Sequence, residues 1–150
     1  MKEVEGDLIA MACAGELDVI VHGCNCFHEM GRGIAAAIAA EFPQAVAADR
    51  ETPKGDRDKL GTVSTARAQR DGHRIRVVNA YTQFHWTGRE GTADYDAIER
   101  AFAEVARRFP DRRIGYPKIG AGMGGGDWDE IATRIDRALE GRDHRLVVLP

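Results

Sequence analysis

The sequence of 150 residues holds no apolar run long enough to span a bilayer, and its first residues, MKEVEGDLIA, lack the apolar core of an export signal. A soluble, cytoplasmic protein is expected. Cysteine is scarce: Cys13, Cys24 and Cys26 cannot all pair with one another. Cys24 and Cys26 are also one residue apart, too close in an extended strand for ordinary disulfide geometry, which suits a reducing setting. Neither sign of charge dominates. The 21 basic and 24 acidic residues give a net charge of −3, so no strong overall field draws the chain to nucleic acid or membrane. Internal repeats and low-complexity tracts are missing too. What remains is the size of one domain, residues 1–150, with 43% hydrophobic residues to build a single core.

Glycine is present in excess, 17 residues, five of them between Gly120 and Gly126. Either the chain is loose there or its backbone approaches something closely. Around that loop, periodicity predicts a buried strand over residues 17–22 and a helix from Gly33, with Ile34, Ala37, Ile38 and Phe42 on one face and a break at Pro43. Residues 51–59 form a charged loop. Strands over 62–69 and 74–80 flank an Asp71-Gly72 hairpin turn. A helix over 94–109 carries Tyr95, Ile98, Phe102, Val105 and Phe109 as one stripe. A strand over 113–119 leads through the glycine loop to a second helix, opened by Asp127 and Glu130 as a capping box, and a strand over 146–149 follows. This order predicts an α/β fold, a sheet between helices with at least one antiparallel pair.

In such sheets ligands collect where strands end and helices begin. Two loops meet that condition, His22 to Gly33 and Pro117 to Trp128, and bare glycine N–H groups at a helix N-terminus suit a phosphate at each, together a diphosphate. The alternative is that both are tight turns. Residues 120–125 match G-x-G-x-x-G, but no following strand ends in the acidic residue that a nicotinamide dinucleotide needs. His22, Cys24, Cys26 and His28 alternate along the chain, a spacing that lines them along one face instead of converging them on zinc. His22 stands where strand meets loop, within reach of a reacting phosphate and with a near-neutral pKa, and is either a proton-transfer group or a structural histidine. Asp127 is a helix cap or a ligand residue. Arg32 and Lys118 neutralise phosphate or are solvated. Tyr81, Phe84, His85 and Trp86 wall the pocket or pack into the core.

Taken together, Gly6-Asp7-Leu8-Ile9, the loop around Asn25, Gly31-Arg32-Gly33-Ile34 and Pro117-Lys118-Ile119-Gly120-Ala121-Gly122 resemble the macrodomain family of ADP-ribose-binding modules over nearly the whole chain. The resemblance implies a three-layer α/β/α fold with a central mixed sheet. It implies that Asp7, beside Leu8, holds the adenine amino group, that Gly31, Arg32, Gly33 and Ile34 with Gly120, Ala121, Gly122, Met123, Gly124 and Gly125 hold the diphosphate, and that Asn25 faces the distal ribose. The run His22-Gly23-Cys24-Asn25-Cys26 is similar to the loop of fungal and phage-type ADP-ribose-1''-phosphate phosphatases, in which a histidine at the position of His22 is implicated in hydrolysis. By that likeness His22 and Asn25 are the catalytic candidates, with no cofactor, metal or membrane required, and a monomer expected. Other branches of the family match less well. Ala35 follows Gly33-Ile34 where one hydrolase type carries aspartate; residues 62–69 offer Arg67 but no lysine for an adduct, and Gly124 stands where that branch has an acid. No aromatic residue follows the last strand to stack on adenine. The expected activity is removal of the 1''-phosphate, with ADP-ribosyl hydrolysis and non-catalytic ADP-ribose binding as alternatives.

Overall fold

Asp71 and Gly72 both adopt positive φ, 50° and 81°, the backbone that a two-residue hairpin turn requires. They join strand β3 (Val63–Arg70) to β4 (His73–Tyr81) in antiparallel register, with Arg67 opposite Arg76. The structure is a computed structural model and describes residues 1–122 and 124–150. Four further strands, β1 (Lys2–Glu5), β2 (Val19–Cys24), β5 (Ile114–Tyr116) and β6 (His144–Val148), complete a sheet in the order β1-β6-β5-β2-β4-β3. All pairs except β3–β4 are parallel. The five parallel strands therefore end at one edge of the sheet, where the ligand loops emerge.

Helices cover both faces. On one side α4 (Tyr95–Arg108) and α5 (Trp128–Ala138) bury Ile98, Phe102, Val105, Ile131 and Ile135 against Val19, Val21, Val78 and Leu146. On the other, α1 (Leu8–Cys13), α2 (Gly33–Glu41) and α3 (Pro43–Arg50) pack Leu8, Ile38 and Ala45 on Ile20, Ile75 and Val77. This is the expected three-layer α/β/α arrangement with a mixed central sheet. Asp94 caps α4 by accepting a bond from the Ala97 N–H at 2.9 Å, and Arg107 and Arg108 complement the dipole in its last turn.

The structure departs from the sequence expectation in several places. Strand β1 and helix α1 precede the first expected strand, β2 starts and ends two residues later than predicted, and β5 stops at Tyr116 because Pro117 cannot continue the ladder. Asp127 does cap α5, but through the Asp129 N–H at 3.0 Å, while Glu130 turns to Arg134 instead of closing a capping box. The three cysteines are unpaired. No helix among the described residues is long and apolar enough to cross a membrane.

Candidate functional site

Three hollows line the edge at which the parallel strands end, and they share walls. The largest, about 630 Å³, lies between the β1–α1 turn, the start of α2 and the end of β6, with Asp7, Leu8, Ile9, Ile34, Val148 and Leu149 around it. Its walls are mostly aliphatic, as is usual for small-molecule pockets. Ile34, Pro117 and Lys118 also line a middle hollow of about 330 Å³ between the two glycine loops. Gly23, Arg32, Ala35 and Gln83 in turn connect the middle hollow to a small distal one of about 90 Å³, where Asn25, Glu29, Gly31 and Trp86 stand. The result is one cleft running across β6, β5, β2 and β4.

The middle of the cleft is built for an anion. Helix α2 begins at Gly33, in left-handed backbone with φ 56°, and Arg32 at its N-cap contributes no side-chain bond. The N–H groups of Gly33, Ile34 and Ala35 consequently have no partner among the described residues, and they carry the positive end of the helix dipole. Across from them the second loop folds back on itself: Gly126 N–H donates to the Gly120 carbonyl at 2.7 Å, and a Cβ on Gly124 would lie 2.8 Å from that same oxygen. Only glycine fits. Gly122 and Gly124 N–H groups make no bond within the described residues, and both line the hollow with Gly120. Arg32 and Lys118, both exposed, add two cations to its walls.

Thr82, directly after β4, is buried to 1% exposure in this wall, and its hydroxyl has no hydrogen-bond partner among the described residues. It faces Gly23, where a Cβ would stand 2.7 Å from the Thr82 Oγ1. At the distal end Asn25 Nδ2 donates to the Glu29 carbonyl at 2.8 Å, and its Oδ1 accepts from the Phe27 N–H at 2.9 Å and the Glu29 N–H at 3.4 Å. Its carbonyl oxygen is thereby filled, while one amide N–H is left for a ligand. Glu29 is exposed, and its carboxylate hangs over Gly31, where a Cβ would meet Oε1 at 2.7 Å.

The sequence-derived candidates divide. Asp7, Leu8, Asn25, Gly31, Arg32, Gly33, Ile34, Gly120, Gly122 and Gly124 all line the cleft. Asp7 also caps α1, accepting from the Ala10 N–H at 2.9 Å. Ala121 packs against the core and Gly125 stands outside the lining, while Met123 lies outside the described residues. Asp127 caps α5 and lines none of the three hollows. Among the aromatics, Trp86 rims the distal hollow and stacks on His85 with centroids 3.8 Å apart, whereas Tyr81 is fully buried with its hydroxyl on Asp49 at 2.7 Å.

His22 requires a correction. Its side chain points to the α1–α3 side of the sheet, has 0% exposure and lines no part of the cleft. Nε2 donates to Asn79 Oδ1 at 2.6 Å, because the Asn79 amide is already committed to the Ala45 carbonyl and Ser64. Burial pushes its pKa down from 6.5 to about 4. A neutral imidazole behind the sheet cannot hand a proton to a group in the cleft. Near it, Cys24 Sγ sits 3.6 Å from Nε2, and His28 binds the Thr52 carbonyl at 2.7 Å, so the alternating His and Cys residues do not converge. Thr82, Gln83 and Glu29 are among the cleft residues that sequence reasoning missed, as are Ala37, Val148 and Leu149; the position of Thr82 and Gln83 immediately after a parallel strand was the available signal.

A mixed sheet between two helical layers, with a glycine-lined cleft across its strand ends, defines this protein as an α/β/α sandwich with an open cleft at the ends of its parallel strands. The chain belongs to the Macro domain family, whose model matches residues 21–135. It is 35% identical over 142 residues to an uncharacterised 17.5 kDa protein of phage T4, covering 91% of this chain and 88% of the other. It is 26% identical over 136 residues to the DNA ADP-ribosyl glycohydrolase of Mycobacterium tuberculosis, covering 90% of this chain but only 37% of that enzyme's length. The solved macrodomain of Mycobacterium tuberculosis DarG superposes with a TM-score of 0.78 at 20% identity, over 99% of this chain and 97% of that one.

Proposed function

We propose that the protein binds ADP-ribose along this cleft and hydrolyses the bond that joins the distal ribose, at C1'', to a larger group. In this reading adenine enters the large aliphatic hollow beside Asp7, the diphosphate lies between the α2 N-terminus and the Gly120 to Gly124 backbone, and the distal ribose meets Asn25. The observation that carries the reading is Glu29, which lines the distal end of the cleft with its carboxylate over Gly31. Glycosidic cleavage develops positive charge at C1'', which a carboxylate stabilises, whereas a phosphate dianion is repelled by it. Water adds to C1'' as the bond to the leaving group breaks, Glu29 takes the water proton, and the leaving group is reprotonated from solvent.

The leaving group favoured here is a nucleobase of DNA, in keeping with the activity named for the mycobacterial relative. The three unpaired cysteines suit the reducing cytoplasm. Incubation with an ADP-ribosylated oligonucleotide tests the reading: release of free ADP-ribose is expected, and Glu29→Gln should slow it by about 10²–10⁴-fold. Unchanged turnover in that variant, or none in the wild type at enzyme excess, would overturn it.

A second reading, phosphate release from ADP-ribose 1''-phosphate, is favoured by Arg32. This exposed guanidinium lines both the middle and the distal hollow and has no carboxylate partner among the described residues. It also matches the likeness of the first loop to the phosphatases. The buried His22 removes the acid on which that reading first relied, leaving Arg32 and the loop amides to stabilise charge. Phosphate release from the 1''-phosphate by wild type but not by Arg32→Ala would favour it over glycosidic cleavage, and ADP-ribose binding with neither reaction would mark a binding module.

A further inference from the structure

At the end of β4 remote from the cleft, the β3–β4 hairpin carries a second charged feature. Residues 67–76, RAQRDGHRIR, hold four arginines and one aspartate, a formal +3 within a chain of net −3. Arg67 and Arg76 are direct cross-strand partners, and Gln69 faces Arg74 in the next pair on the same face. Like charges directly opposite each other destabilise a sheet, so this pairing carries a cost in the isolated protein that a bound polyanion would relieve. Arg67, Arg74 and Arg76 have no carboxylate partner among the described residues; of the four, only Arg70 does, with Glu41 at 3.4 Å. Burial and the neighbouring Arg67, Arg112 and Arg74 guanidiniums push Arg76 below its ordinary pKa, a measure of how crowded the cations are. Together Arg67, Arg70, Arg74 and Arg76, with Gln44 and Gln69, line a groove of about 530 Å³ on the outer strand of the sheet.

From this arrangement we infer that the β3–β4 hairpin is a docking surface for the sugar-phosphate backbone of a nucleic acid. Guanidinium groups grip phosphates bidentately, and Arg67, Arg74 and Arg76 share one face of the hairpin, Arg74 and Arg76 about 6.8 Å apart along β4 and Arg67 directly across from Arg76, giving a cluster of cations instead of a single anion pocket. Among the described residues no aromatic side chain lines the groove, so the contact follows the backbone and is indifferent to base sequence. All four cations are arginine, the side chain best suited to phosphate and nucleic-acid recognition; a carboxylate can also accept bidentately, so polyglutamate is the competitor that distinguishes an acidic peptide from a phosphate backbone. The surface does not depend on the reaction in the cleft: a protein without turnover would still bind an unmodified strand.

Fluorescence anisotropy of the full chain with a labelled, unmodified oligothymidylate of about 20 nucleotides tests the inference. Neutralising three to four phosphates of a single strand predicts a log-log salt slope of about −2 to −3, a loss of about 20–50-fold in affinity between 50 and 200 mM salt. The double variant Arg74→Glu, Arg76→Glu is expected to bind at least tenfold more weakly with a flatter slope, while its ADP-ribosyl turnover on the free mononucleotide conjugate is unchanged. Arg67→Ser, at an exposed position, should weaken binding in the same direction and provides the reading if the charge reversals disturb folding. Wild-type affinity in these variants, absence of binding at 50 mM salt, or displacement of the strand by polyglutamate as readily as by unlabelled DNA would each overturn the inference.

Discussion

Replacing His22 with Gln separates a structural histidine from a catalytic one. Glutamine keeps an N–H donor for Asn79 Oδ1 but does not titrate. In the wild type the ring is neutral and buried when folded, with a pKa near 4, and free to protonate at 6.5 when unfolded. Between these values the unfolded chain binds the extra proton, so stability is full above pH 6.5 and declines as pH falls toward 4, below which both states are protonated. At about 1.4 kcal/mol for each pKa unit, the drop from 6.5 to about 4 corresponds to about 3 kcal/mol over the whole window and about 2 kcal/mol by pH 5. Urea unfolding at pH 7.5 and pH 5 measures it. His22→Gln is expected to be about 1 kcal/mol less stable than wild type at pH 7.5, from a poorer hydrogen bond, and to gain about 2 kcal/mol relative to it at pH 5. Other titrating groups cancel in that comparison. Cleft chemistry should persist at pH 7.5. Parallel stability curves for the two proteins would refute the buried-neutral assignment, and a 10²-fold loss of turnover in a folded variant would restore His22 to the reaction.

Gly23→Ala sets a Cβ 2.7 Å from Thr82 Oγ1 and 3.1 Å from Ile119 Cγ2, so it should cost about 1–3 kcal/mol in thermal unfolding and weaken ADP-ribose in calorimetry by about tenfold; unaltered affinity would separate this wall from the ligand. Asp127→Ala removes the α5 cap and should lower stability by about 1 kcal/mol with ligand affinity unchanged, and a large loss of affinity would return Asp127 to the binding residues.

The elements that could be read from sequence were those whose burial is one-sided. Helix α4 shows its stripe because Ile98, Phe102 and Val105 are buried while Glu99, Ala103 and Arg107 are not. The hairpin was legible from Asp71-Gly72 alone. Strand β1, in contrast, has Val4 as its single apolar residue, and α1 is six residues long, too short to display a helical period. The direction of His22 was hidden for a different reason. Strand β2 is central and covered on both faces, so VIVHGC carries no alternation from which to tell one side from the other. Without that alternation, nearness of His22 to the glycine loop in sequence does not translate into nearness in space. The clustering of Gly120, Gly122 and Gly124 was legible in the sequence, and in the structure these glycines line the middle hollow, with Arg32 on the loop opposite and Asn25 at the distal one. The net charge misled in turn: a total of −3 concealed the +3 of residues 67–76, since a sum over the chain holds no information about which cations the sheet gathers.

Thr82 gives the cleft a means of discrimination. A buried hydroxyl without a partner costs about 1–3 kcal/mol, and that cost is present in the free protein whether or not anything binds. A molecule that brings an oxygen acceptor to this point in the wall relieves it, whereas one of the same shape with a methylene there does not. Two ligands equal in size and charge would then differ in affinity by roughly 5- to 150-fold on the identity of one atom, because a site with an unmet polar group rejects what leaves it unmet.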